Sequence, residues 1–177
     1  MTLTLFIDER VEKAQRMLRA IQAWPHWNEI ALCTRKEYGI SLAQFQARLP
    51  EYQRFLALCA VYPGLGMTSE AIDQLWHSHI LHTSLYDQFC ETIIGHRIHH
   101  FPSSSYQLYG VDPNNADDDC TTCKLPSIPS TCYNIQLSSG LQEEARQSIL
   151  GGGQRFREAY ATVFGELPAI WSHTGHS

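Results

Sequence analysis

Thirty residues, from Asp73 to Pro102 (DQLWHSHILHTSLYDQFCETIIGHRIHHFP), hold six of the chain's nine histidines together with Cys90, two aspartates and a tyrosine. The stretch is also strongly apolar, so it must be packed inside a fold while carrying groups that are seldom buried without a partner. At about 100° per residue, Ile72, Leu75, Trp76, Ile80, Leu81, Leu85, Phe89 and Ile93 cover well over half of a helix circumference. That pattern predicts one continuous central helix from about Ser69 to Ile94, capped by Thr68 or Ser69, ended by Gly95 and packed on several sides. Period-two alternation is short everywhere, so the expected fold class is all-α: a helical bundle around this long motif helix, with Trp76 buried.

The remaining segments read the same way. Asp8 to Ala23 places Val11, Ala14, Met17, Leu18 and Ile21 on one helix face, and Pro25 ends it. A second helix is expected from about Asn28 to Tyr38, stopped by Gly39. Ser41 can cap a short third helix, and Pro50 suits the first turn of a fourth that runs to Tyr62. Residues from about 103 to 140 turn to Ser, Asp, Asn, Pro and Thr without periodicity, which predicts a long Cys-containing loop. Order returns at Ser139, whose spacing to Gln142 fits a capping box, and the Gly151–Gly153 run should break that helix before a last one from about Gln154 to Phe164.

With 177 residues and 44% hydrophobic content, the chain can bury one core but hardly two, so residues 1–177 are read as a single domain. The formal charge is −5, and no basic cluster exceeds Arg35-Lys36, which argues against nucleic acid and against an anionic membrane surface as partners. No run reaches the roughly 18–20 apolar residues of a membrane span, and the acids in MTLTLFIDERVEKAQ do not suit a signal peptide. A cytoplasmic location is expected, and the six cysteines then read as thiols rather than a disulfide framework. Cys33 and Cys59 read as core filler.

Helix geometry sorts the polar residues of the motif. Asp73 and His77, four apart, share a face, so the carboxylate can hold one imidazole nitrogen and leave the other free to bind an ion. A satisfied buried pair is the plainer alternative. His77 and His79 lie about 200° apart, which opposes a simple HxH clamp. His79, His82, Tyr86 and Cys90 share a sector, but Cys90 is too far along the axis to share an ion with His79. It could meet His96, His99 or His100 if the chain turns back after Gly95. The candidate metal ligands are therefore His77, His79, Cys90, His99 and His100, supported by Asp73 and Tyr86.

The run DxxWHxHxL…Y…C…G…HHFP resembles the signature of the glycine-rich domain-containing protein-like family. EYQRFLALCAVYPG, from Glu51, resembles the helix before that signature, and AYATVFGELPAIW, ending at Trp171, resembles a later block. Together they make a family-like core of about residues 51–171. The resemblance implies a helical fold and a recurrent polar set falling on Asp73, Trp76, His77, His79, Leu81, Tyr86, Cys90, Gly95 and His100. It implies no particular reaction. The resemblance implies a Gly-, Ser- and Cys-rich tail in many bacterial members, whereas the clustered cysteines of this sequence lie in the loop instead.

Cys120, Cys123 and Cys132 form half of a zinc-ribbon pattern, with His173 and His176 as further ligands. A structural zinc, a disulfide or redox pair, and solvated thiols are all compatible with that spacing. Gly151–Gly153 lacks the lysine and hydroxyl of a phosphate loop, and neither HExxH nor GxSxG occurs. Cys90 with His99 or His100 as base would make a thiol nucleophile, although a cysteine on a packed helix is more often core. The function this supports is a histidine-centred metal site. Zinc is the first cofactor choice and ferrous iron the second, because two histidines with Asp73 would match the facial arrangement of non-haem iron. Whether the chain is an enzyme is left open by these residues, as is the identity of a protein or small-molecule partner. The competing reading is a protein-interaction module in which the histidines form a buried network and no metal binds.

Overall fold

The structure, a computed structural model, describes residues 8–101 and 139–172. Among them are seven α-helices and no strand: α1 (Glu9–Gln22), α2 (Trp27–Tyr38), α3 (Leu42–Cys59), α4 (Glu70–Leu81), α5 (Thr83–Phe89), α6 (Ser139–Ile149) and α7 (Gly152–Phe164). A π-helical turn, Cys90–Ile94, continues α5, and a 3₁₀ turn, Ala169–Trp171, follows α7. They pack as one bundle, as the periodicity predicts. The expected cysteine loop and Cys120, Cys123, Cys132, His173 and His176 lie outside the described residues.

Local chemistry sets several helix ends. The Asp8 carboxylate accepts from the Arg10 N–H at the start of α1, and Ser41 with Gln44 forms a reciprocal capping box on α3. Two expectations are corrected. The predicted third and fourth helices are one: Pro50 lies inside α3. Pro50 and Gln46 are both exposed, so the carbonyl that Pro50 fails to bond lies on the solvent side of the helix. The central motif helix is not continuous either. It breaks at His82, whose backbone (φ −85°, ψ 63°) leaves the helical region, and Leu81 beside it is 60% exposed. The break re-aims α5, so that Tyr86 and Phe89 both come to 5.0 Å, centroid to centroid, from the His79 ring.

The core is aromatic. Trp76 is buried and packs on Phe55, which also meets Phe156 and Trp171. Truncating such a side chain to Ala typically costs about 3–5 kcal/mol. At one end of this core sits a buried carboxylate. Glu51 Oε2 accepts from the Tyr160 hydroxyl and from Trp171 Nε1, both at 2.8 Å, while Arg54 bonds Oε1. Burial first, and the bond to Glu51 next, push the Tyr160 phenol up to about 12. This node ties α3 to α7 and the final turn, joining the two segments that flank the motif in the resemblance. A second tie is backbone on backbone: a Cβ on Gly152 would stand 2.6 Å from the Gly66 nitrogen, so only glycine lets α7 approach that turn.

Candidate metal centre

After the π-helical turn, Gly95 adopts φ 88°, a left-handed conformation that glycine reaches without a Cβ penalty, and the chain reverses. The returning strand of chain, 96–101, is pinned by a relay. Trp76 Nε1 donates to the Tyr86 hydroxyl at 3.2 Å, and that hydroxyl donates to the Ile98 carbonyl at 2.6 Å. Ile98 is thereby buried, and His100 two residues later lies edge-on to Trp76, ring centroids 4.6 Å apart.

The result is a convergence of three side chains. His100 Nε2 lies 3.0 Å from His77 Nε2 and 3.0 Å from Asp73 Oδ1, and His77 Nε2 lies 3.5 Å from Asp73 Oδ2. One ligand atom from each residue falls within 4.8 Å of the others. Ligands about 2.0–2.1 Å from a tetrahedral zinc are roughly 3.3 Å apart, so a group this close together could hold one ion. The group is half-buried: 15% of the His100 side chain, 26% of Asp73 and 41% of His77 is exposed, which leaves one side open. His77 Nδ1, on the far side of the ring, faces the Tyr38 hydroxyl at 3.4 Å.

Of the predicted residues, His77 and His100 therefore meet, and Asp73 meets them directly instead of holding the back of His77. That back position belongs to Tyr38, which no sequence motif marks: it is the last residue of α2, and only the packing of α2 along α4 brings it near. Tyr86 lies outside the convergence, and its hydroxyl bonds the return segment that carries His100. Cys90 is buried, and burial above all raises its thiol pKa, which suits a core position better than a nucleophile. His99 turns to a separate small cleft beside Tyr62, Trp76, His96 and Glu144.

His79 also lies apart from the convergence, as the helix angle requires. It is fully buried among Trp24, Trp27, Tyr52, Tyr86 and Phe89, with Nδ1 2.9 Å from the Tyr52 hydroxyl. Desolvation holds it neutral, with its pKa lowered to about 3. Its Nε2 has no hydrogen-bond partner among the described residues. If Tyr52 donates to Nδ1, only the Nε2–H is left unpaired, and it faces aromatic rings. The opposite tautomer would strand both the Tyr52 proton and the Nε2 lone pair.

The family model described as UCP032817-like matches residues 15–117, more than half of the chain, and the chain belongs to that family. The match starts well before Glu51 and takes in most of α1 and all of α2, including Tyr38. No curated protein and no solved structure matches the chain.

Proposed function

We propose that this member of the UCP032817-like family binds one divalent transition-metal ion through Asp73, His77 and His100 and uses the open side of that ion for a ligand or substrate. The observation that carries the reading is the approach of two imidazole nitrogens and a carboxylate to a single point. Two imidazole nitrogens 3.0 Å apart need a proton or a cation between them, and a flanking carboxylate stabilises either, so a bound ion would take the place of the proton. Three protein ligands with one side exposed is the pattern of a catalytic site rather than a closed structural one. A bound ion there would supply a Lewis acid and acidify its water. Because the donor set contains no thiolate, zinc and ferrous iron are matched more evenly than the sequence alone implies; zinc stays first, and ferrous iron in a facial triad second. The likeness to the glycine-rich domain-containing protein-like family belongs to this proposal and adds no reaction to it.

The test is elemental analysis of the full chain purified without a histidine tag, followed by loading with zinc in air and with ferrous iron under anaerobic conditions. About one ion per chain is expected, lost in His77→Ala and in His100→Ala while the helical circular dichroism is kept. A wild-type chain that takes up neither metal overturns the reading, and the interaction module with its hydrogen-bonded histidines replaces it.

A further inference from the structure

We infer that Tyr38 is a positioning residue of this centre: its hydroxyl oxygen receives the Nδ1 proton of His77 and so keeps the His77 Nε2 lone pair turned toward Asp73 and His100. Its consequence for affinity rests on the metal reading above; the tautomer itself does not.

The tautomer follows from proton bookkeeping at three atoms. A neutral imidazole nitrogen carries either a proton or a lone pair. His100 Nε2 has two neighbours at 3.0 Å, Asp73 Oδ1 and His77 Nε2. If His100 Nε2 held a lone pair, that pair would face a carboxylate oxygen at 3.0 Å with no proton between them. If both Nε2 atoms were protonated, two N–H groups would collide at 3.0 Å. The arrangement with the least repulsion has His100 Nε2–H donating to Asp73 Oδ1 at 3.0 Å and His77 Nε2 unprotonated, its lone pair facing only the more distant Asp73 Oδ2 at 3.5 Å. The proton of His77 is then on Nδ1, and the atom it meets is the Tyr38 oxygen, 3.4 Å away. Tyr38 is 39% exposed, so its own O–H can donate to water while its oxygen accepts.

His77 is thus set for coordination before any ion arrives, whereas His100 must give up or relocate its Nε2 proton. Tyr38 plays the part usually taken by the carboxylate or carbonyl behind a ligating histidine. It reaches the site from α2, so the packing of α2 on α4 becomes part of the metal centre.

The experiment uses the ¹⁵N-labelled full chain at a pH of about 8, where exposed histidines are neutral. Long-range ¹⁵N–¹H spectra should show metal-free His77 as the Nδ1–H tautomer in wild type, and a shift toward Nε2–H in Tyr38→Phe. Zinc affinity, measured by competition with a chromophoric chelator, should fall about 10–100-fold in Tyr38→Phe with the thermal midpoint unchanged. Wild-type His77 in the Nε2–H form overturns the inference, and so does a Tyr38→Phe variant with wild-type zinc affinity. A wild-type chain that binds no zinc sinks the metal reading, while the His77 tautomer still decides the role of Tyr38.

Discussion

Replacing Tyr86 with Phe removes one oxygen and orphans two groups at once, the Trp76 indole N–H and the Ile98 carbonyl. Tyr86 is 1% exposed and Trp76 3%, so water cannot readily replace the lost partner of the indole. An unsatisfied buried polar group costs about 1–3 kcal/mol. The Ile98 carbonyl belongs to a segment whose neighbours Arg97 and His99 are at least partly exposed, which puts it at the lower end. The expected loss is about 2–4 kcal/mol, read from urea unfolding by far-ultraviolet circular dichroism with an unchanged slope. The same change frees the segment that carries His100, so zinc affinity should fall with stability. Tyr52→Phe is the matched comparison: it orphans His79 Nδ1, with a loss of about 1–3 kcal/mol, but leaves the return segment pinned and zinc affinity unchanged. A loss under about 0.5 kcal/mol in Tyr86→Phe, or equal weakening of zinc by both variants, refutes the relay.

Three further outcomes are expected. His79 is neutral when folded, with a pKa of about 3, and ordinary when unfolded, so the unfolded chain binds the extra proton as pH drops below about 6.5. Its contribution is whole above that pH and declines toward pH 3; by pH 5 about 2 kcal/mol should be gone, and His79→Phe should show a shallower acid slope in urea midpoints. Gly152→Ala should cost about 1–3 kcal/mol, because the new Cβ meets backbone, while Gly140→Ala in α6, with no described residue within 4 Å, should be neutral or stabilising, both read from thermal melts. Glu51→Gln should lose about 3 kcal/mol in urea unfolding, since the amide sets a donor against the Trp171 N–H and the Arg54 guanidinium, which can only donate; a near-neutral result would deny the node its role.

Features that depend on a few neighbouring residues were readable in the chain itself. Asp8, Gly39, Ser41 and Gly95 all end helices where the local pattern puts them, because capping is settled within one turn. The break at His82 was not readable: no glycine or proline marks it, and it answers to the packing of Tyr86 and Phe89 around His79. Pro50 misled for the converse reason, since a breaker on the solvent side of a well-anchored helix is outweighed by Phe45, Tyr52 and Phe55 on the other. At the site, the i,i+4 spacing of Asp73 and His77 and the turn after Gly95 were legible; the direction of the Asp73 carboxylate was not. It depends on where His100 comes to rest, and that is fixed by Tyr86 and Trp76. Tyr38 and Tyr52, each meeting a histidine across helices, left no trace in any spacing.

The Glu51 node separates two lengths that are easily confused. The family match stops at residue 117, yet the groups that cover Phe55 and neutralise the donor demand of Glu51, namely Phe156, Tyr160 and Trp171, come later. A fragment cut to 15–117 would keep all three proposed metal ligands and Tyr38, but it would strip Phe156 and Trp171 from Phe55 and leave Glu51 with Arg54 as its one partner among the described residues. The span by which relatives are recognised is therefore shorter than the span that completes this core, and truncations for expression or crystallisation should retain the chain through Trp171.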